Sequence, residues 1–158
     1  MKRFFLFTIF IFIVSLFFSS CDSNRVFEEN KSIPENSWDK SGKISFEASI
    51  DDTNIIYNVY INIRNSSSYA YSNLYIFLLT KMPDGKISKD TLNCYLQDET
   101  GHWAGKGLGD AWENKILFKP MVKFNQKGKF IFEYEQGMRE EKLTGIMDVG
   151  LRIEKTEQ

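Results

Sequence analysis

NIIYNVYINIRN, residues 54–65, alternates apolar and polar residues, and this pattern predicts the fold class of the chain. The apolar phase consists of Tyr57, Val59, Ile61 and Ile63. The polar phase consists of Asn58, Tyr60, Asn62 and Arg64. A period of two places successive side chains on opposite faces of a strand. The segment therefore predicts an antiparallel β-strand with one buried and one solvated face.

The same period recurs along the rest of the chain. Alternating segments are KISFEASI (43–50), DTLNCYLQ (90–97), NKILFKPMV (114–122), KFIFEYEQ (129–136) and GIMDVGLRIEK (145–155). NLYIFLLTK (73–81) is apolar on both faces, which indicates a strand in the middle of a sheet or beneath a covering segment. Turn signals such as MPDGK (82–86) separate them. Residues 41–158 are therefore predicted to form an all-β fold, a single antiparallel β-sandwich of about seven or eight strands, for which a jelly roll is one compatible topology.

The N-terminus has the organisation of a bacterial export signal. Lys2 and Arg3 precede an apolar run over residues 4–18, and two serines follow before Cys21. The run is shorter than the roughly 17–25 residues of a usual membrane-spanning helix. A cysteine directly after small residues occupies the position that receives a diacylglycerol in lipoproteins. We expect residues 1–20 to be a lipoprotein signal peptide and Cys21 to be the lipidated residue.

An uncleaved anchor or an ordinary secretory signal is the alternative for this N-terminus. Phe18 stands where the lipoprotein signal usually has leucine. In each case the remainder of the chain lies outside the cytoplasm, in the cell envelope and close to a membrane. Residues 21–40 are polar and lack a sustained period, so they are predicted to be the lipidated N-terminus and a tether, with Phe27 and Trp38 available to pin its later part.

Charge and cysteine content argue against two classes of function. Removing residues 1–20 deletes two basic residues and no acid, which takes the formal charge from −1 to −3. Nucleic-acid binding needs clustered positive charge, so no nucleic-acid partner is expected. Cys94 is then the remaining cysteine, and a small core residue is the simplest interpretation of it. His102 is the single histidine that could activate it as a nucleophile, and we disfavour that pair.

The glycine-rich segment DETGHWAGKGLGDAWENK, residues 98–115, concentrates the residues with possible site chemistry. Its spacing does not match the phosphate loop, because Gly107 stands where a serine or threonine must follow Lys106. It does not match a dinucleotide site, since no βαβ unit surrounds it. Its acids have no calcium-loop spacing, and its histidine has no second ligand nearby, so neither a metal nor a cofactor is predicted.

Two interpretations of this segment stay open. Trp103 and Trp112, with flanking acids, could stack on and hydrogen-bond a glycan. Alternatively, the indoles plug the end of the sandwich while the glycines allow close packing. In either case the candidate ligand or partner surface comprises Trp103, Trp112, His102, Asp98 and Asp110. The outward pair Glu133 and Glu135 shows no isolated acid, so no enzymatic activity is predicted.

The chain resembles the gliding-motility lipoprotein GldH family of the Bacteroidota. The residues that carry the resemblance are SSCDSN (19–24), the span 74–119 with the glycine-rich segment, and GKFIFEYEQGMREEKLTGIMDVGLRIEK (128–155). The resemblance implies a lipid anchor at Cys21, on the periplasmic or outer-membrane face, and partners among gliding and secretion proteins. It implies no catalytic residues. We expect a non-catalytic structural or assembly component of the gliding machinery; a glycan-binding module is the alternative.

Overall fold

A computed structural model describes residues 22–156, which form two antiparallel β-sheets packed face to face. The strands are β1 (Arg25–Ser32), β2 (Ser37–Asp39), β3 (Ile44–Ile50), β4 (Tyr57–Ser66), β5 (Asn73–Lys81), β6 (Ile87–Tyr95), β7 (Lys106–Leu108), β8 (Ala111–Val122), β9 (Gly128–Gln136), β10 (Lys142–Thr144) and β11 (Ile146–Lys155). The five-stranded sheet has the order β1-β11-β4-β8-β7, and the four-stranded sheet has the order β3-β9-β5-β6. Strands β2 and β10 form a separate pair. No helix within residues 22–156 is long and apolar enough to cross a membrane.

The eight longer strands have the topology of a jelly roll. Strands β2, β7 and β10 have three residues each, whereas the other eight described strands have seven to twelve. Numbered first to eighth along the chain, those eight are ordered 1-8-3-6 in one sheet and 2-7-4-5 in the other. This interleaving is the double Greek key of the jelly roll. The predicted all-β sandwich is confirmed, and the topology is the one named as compatible with it.

The core lies between the two sheets and follows the alternation in the sequence. In β4 every second residue is buried, from Tyr57 to Asn65. The facing strand β9 buries Phe130, Phe132 and Tyr134 in the same way. Burial of each such side chain contributes about 1.5–3 kcal/mol to the stability of the fold. This contribution explains why the two-residue period determines which face of each strand lies on the core.

The segment predicted to be a tether contributes two strands. Residues 25–32 form β1, which pairs with β11 at the edge of the five-stranded sheet. Trp38 in β2 is only 2% exposed and lies opposite Leu143 in β10. None of the side chains of β1 is fully buried, so its sequence shows no alternation of apolar and polar residues. The ordered domain therefore includes residues from Asp22 onward, while residues 1–21, with the predicted signal peptide and Cys21, lie outside the described residues.

The sandwich has two ends, which the strand registers define. The proximal end carries the described N-terminus at Asp22 and the loops 51–56, 82–86 and 123–127. At this end Tyr57 of β4 pairs with both Val122 and Lys155. The distal end carries the loops 67–72, 96–105 and 137–141, and there Ser66 of β4 pairs with Ala111. The glycine-rich segment thus lies at the end opposite Asp22.

Candidate functional site

Asp98 organises the start of the glycine-rich segment. Its carboxylate accepts hydrogen bonds from the Thr100 amide at 2.8 Å, the Thr100 hydroxyl at 2.7 Å and the His102 amide at 3.0 Å. The hydrogen bond from Thr100 is the largest cause that lowers the pKa of Asp98 below its usual value. An aspartate that caps its own turn in this way is a structural element of the loop.

The two tryptophans form a stacked pair across the distal end. Their ring centroids are 6.4 Å apart and their planes differ by 28°. Trp103 is partly buried and packs against the core, and its backbone forms a bridge with Gln97. Trp112 is also partly buried, and its indole N–H is buried without a partner among the described residues. Each ring is occupied by the protein's own packing, so the pair gives no support to the glycan interpretation.

Close packing against β8 requires glycine at two positions of the segment. A Cβ at Gly105 would lie 2.5 Å from the backbone oxygen of Glu113, and one at Gly107 would lie 2.5 Å from the Trp112 ring. Both distances are well below van der Waals contact. The glycines therefore let β7 and the preceding residues lie directly against β8, which holds the tryptophan stack in place.

The remaining candidate residues of the segment do not converge on a common point. The side chain of His102 is 83% exposed, and its Nδ1 lies 2.7 Å from the Thr100 hydroxyl. Asp110 lies in the β7–β8 turn, where its backbone oxygen accepts a hydrogen bond from the Ser67 amide at 2.8 Å. Among residues 22–156 no group of three or more histidine, cysteine or acidic side chains is arranged to hold a metal ion. The segment is a structured connection, and the side chains of these candidate residues are exposed to solvent or bonded within its own turns.

A groove on the outer face of the five-stranded sheet, with charged and amide side chains in its lining, was not predicted from the sequence. Its volume is about 830 Å³, and part of its lining comes from the glycine-rich segment, including Ala104 and Lys106. The charged and amide side chains that line it include Glu28, Asn62, Arg64, Glu113, Lys115 and Arg152. They come from β1, β4, β8 and β11, and all belong to the outward phase of their strands.

Arg152, which lines this groove, is the centre of an ion network. Its guanidinium contacts Glu28 at 2.6 Å, Glu154 at 2.5 Å and also Asp22, and its side chain is only 13% exposed. Lys115 reaches Glu154 at 2.5 Å and lies 4.1 Å above the Tyr60 ring. Burial acts to raise the pKa of Glu154, but the hydrogen bonds from Lys115 and Arg152 outweigh it and lower the pKa. The charges of the network are thus paired and fixed in position.

Paired charges of this kind suit recognition better than proton transfer. On the same outer face, the Arg64 guanidinium lies 3.4 Å from the Asp148 carboxylate. The Ser32 hydroxyl donates a hydrogen bond to that carboxylate at 2.5 Å. Fixed donors and acceptors in a groove confer specificity on a polar contact because little side-chain freedom is lost on binding. The groove and the adjoining loop are therefore the best-formed candidate surface for a partner.

The Cys94–His102 pair does not form, as disfavoured from the sequence. Cys94 is fully buried on the inner face of β6, whereas His102 is among the exposed residues of the distal loop. Burial raises the pKa of the Cys94 thiol to about 12. The thiol therefore stays protonated at neutral pH and has neither the base nor the access that a nucleophile needs.

Cys94 is expected to resist alkylation in the folded protein. At pH 8 iodoacetamide should modify it only through unfolding, because the thiolate is scarce and the sulfur is enclosed. The same reagent in urea should react to completion, as followed by mass spectrometry. Modification at the rate of a free cysteine without denaturant would contradict the buried placement.

Comparison with known proteins gives matches that cover most of the chain. The family model described as GldH lipoprotein matches residues 25–153. A gliding motility lipoprotein GldH homolog of Christiangramia forsetii is 42% identical over 159 residues, covering 96% of this chain and 97% of that protein. Gliding motility lipoprotein GldH of Flavobacterium johnsoniae is 34% identical over 152 residues, covering 92% and 94% respectively.

Solved structures give weaker likenesses. The insecticidal delta-endotoxin Cry8Ea1 of Bacillus thuringiensis aligns with a TM-score of 0.46 at 12% identity, over 77% of this chain and 19% of that one. Dimeric latent PorU of Porphyromonas gingivalis aligns with a TM-score of 0.35 at 8% identity, over 87% and 14%. Likenesses at this level carry no information on function.

Proposed function

Because the chain belongs to the GldH lipoprotein family, we propose that it is a lipid-anchored envelope component that serves a gliding machinery by binding other envelope proteins. The observation that carries this proposal is the extent of the match. The family model spans residues 25–153, which is nearly the whole described sandwich from β1 to β11, including the groove and the glycine-rich segment. The candidate surface thus lies within what the family shares.

The groove supports a binding role over a catalytic one. Most of its acids and bases are paired, with Arg152 bound to Glu28 and Arg64 lying near Asp148, so they form a fixed pattern of charge. A general acid or base needs a group whose protonation changes near the working pH, and ion pairs stabilise the charged forms against such a change. The groove would instead meet a complementary polar surface of a protein partner.

The lipid anchor is the second part of the proposal. Cys21 follows a signal-like segment, and Asp22, the next residue, is already bonded to Arg152 in the sandwich. Lipid on this cysteine would retain the domain at a membrane of the envelope, where the partners of a gliding apparatus reside. The family match supports this assignment, although its model begins after Cys21, at residue 25.

Complementation of a gliding host that lacks its own GldH gene tests both parts. We expect Cys21→Ala to lose palmitate labelling and membrane retention, and to restore little or no spreading on agar. We expect the groove variant Glu113→Arg to keep its lipid and its fold, since Glu113 is exposed, but to restore spreading poorly because its charge is reversed.

Two matched variants serve as controls in the same host. Ser23→Ala leaves the cysteine intact, and Lys89→Glu reverses an exposed charge on the other sheet. Both should spread as the wild-type gene does. Full spreading by Cys21→Ala would overturn the anchor, and full spreading by Glu113→Arg would overturn the groove as the partner surface.

A further inference from the structure

The ordered domain begins directly beside the proposed lipid attachment. Asp22 is held by the Arg152 guanidinium, and its backbone oxygen accepts from the Arg25 amide at 3.3 Å. The Lys155 amide donates to the backbone oxygen of Asn24 at 2.8 Å. One residue after Cys21, therefore, the chain is already bonded to the proximal end of the sandwich. A lipid on Cys21 would have almost no free chain between itself and the domain.

Apolar side chains are exposed at this same end. Met121 is 60% exposed and has a φ of 53°, an unusual backbone conformation for a residue other than glycine. Its amide donates to the Asn58 side chain at 2.9 Å, which fixes this bulged conformation at the end of β8. Ile56 is 36% exposed, and its backbone oxygen accepts from the Thr156 amide at 2.9 Å. Strained residues that are held by their surroundings often mark functional surfaces.

Exposed cationic side chains occur at the same end of the sandwich as these apolar residues. Lys123, Lys127 and Lys155 are exposed at the proximal end and make no ion pair within residues 22–156. The acidic side chains of this end are partly engaged, since Asp84 pairs with Lys86 at 2.9 Å and Asp52 accepts from the Asn54 amide at 2.8 Å. Unpaired lysines beside exposed apolar side chains are the combination that binds the interface of an anionic bilayer.

We propose that the proximal end of the sandwich lies on the lipid surface, with Met121 and Ile56 inserted at the boundary of headgroups and acyl chains. Lys123, Lys127 and Lys155 then face anionic headgroups. This orientation rests on the proposed lipidation of Cys21, because the short connection to Asp22 is what brings this end to the bilayer.

The orientation also places the candidate surface. Strand β4 runs from Tyr57 at the proximal end to Ser66 at the distal end. Ten residues at roughly 3.4 Å per residue span about 30 Å. The glycine-rich segment therefore stands about one strand length away from the membrane, where a protein partner can reach it, and the groove runs along the side of the domain between the two ends.

Site-specific labelling of the full lipidated protein tests this orientation. The purified lipoprotein is reconstituted in vesicles of phosphatidylethanolamine and phosphatidylglycerol, and an environment-sensitive fluorophore is attached at Met121→Cys. The matched control carries the fluorophore at Leu108→Cys, since Leu108 is 84% exposed at the distal end. Buried Cys94 stays unlabelled in the folded protein.

We expect the label at position 121 to shift its emission to the blue and to lose intensity when nitroxide-bearing lipids are included. The label at position 108 should keep the spectrum that it has in water. A double charge reversal, Lys123→Glu with Lys127→Glu, should weaken the quenching at position 121 in anionic vesicles and have little effect in purely zwitterionic ones.

Vesicle flotation separates failure of this orientation from failure of the anchor. If wild-type protein floats with the vesicles and Cys21→Ala does not, the anchor holds. Equal, water-like emission from both labels on a floating protein would then overturn the orientation alone. Quenching at position 108 without quenching at position 121 would show the opposite end on the membrane. Absence of flotation by the wild type would overturn the anchor, and with it the orientation.

Discussion

Replacing Trp38 by alanine is expected to lower the free energy of unfolding by about 3–5 kcal/mol. The Trp38 ring is 2% exposed within the core, and its indole N–H donates to the Gly42 backbone oxygen at 2.7 Å. Alanine would leave a cavity of nearly the whole indole and an unpaired carbonyl. Urea denaturation followed by circular dichroism measures the change in the free energy of unfolding. The dependence of that free energy on urea concentration should be the same in both proteins, which shows that the same amount of surface is exposed on unfolding.

Two further variants test whether the loss of stability comes from removal of the buried Trp38 ring. Trp38→Phe keeps an aromatic ring and should lose less stability than alanine does. Lys40→Ala alters an exposed neighbour and should change the free energy of unfolding by no more than about 0.5 kcal/mol. If Trp38→Ala resembled Lys40→Ala, residues 37–39 would contribute nothing to the fold and would behave as the tether that their composition predicts.

Replacing Gly105 by alanine is expected to lower the free energy of unfolding by about 1–3 kcal/mol and to release the glycine-rich segment from β8. The new Cβ would lie 2.5 Å from the backbone oxygen of Glu113, so no side-chain rotation can relieve the overlap. The Ala104 amide, which donates to the Leu96 backbone oxygen at 2.9 Å, should exchange its hydrogen much faster. Hydrogen exchange read by mass spectrometry on peptides from residues 96–110 measures this.

Lys106→Ala is the matched control, because Lys106 is exposed and lies next to Gly105. It should leave both the stability and the exchange of the segment close to those of the wild type. Unchanged exchange in Gly105→Ala would mean that the segment accommodates the methyl group by moving as a unit. The role given to the glycines, that of allowing close packing on β8, would then be wrong.

The alternation in the sequence predicted the long strands and their buried faces because it reflects a physical constraint. A strand of a two-layer sandwich has one face on the core, and residues such as Ile61 and Phe132 are fully or almost fully buried there. Strand β5, which is apolar on both faces, lies in the interior of its sheet between β9 and β6, which is one of the two placements predicted for it. Its outer residues Tyr75 and Phe77 are nevertheless 40% and 48% exposed.

The first strand could not be predicted in the same way. RVFEENKS has no period of two, because β1 is an edge strand whose side chains are at most partly buried. Its place depends on pairing with β11, more than a hundred residues away. A local pattern carries no information about such a partner, and polar composition alone favours a tether.

The groove could not be predicted from the sequence for a related reason. Glu28, Asn62, Lys115 and Arg152 each look like an ordinary solvated residue within its own strand. Only the strand order brings them together, and that order joins β1, β11, β4 and β8. The sequence offered packing of one or both indoles at the end of the sandwich as one of two alternatives, but it did not predict that Trp103 and Trp112 stack on each other.

The pairing of the first strand with the last has a consequence for biogenesis. Arg25 pairs with Glu154, so the edge of the five-stranded sheet cannot close until nearly the whole polypeptide is available. Such non-local contacts give all-β domains a high contact order and folding times from about milliseconds to seconds. If the chain is translocated from its N-terminus, this sheet cannot be completed until the last strand has emerged, so the native fold would form only after nearly the whole chain has crossed the membrane.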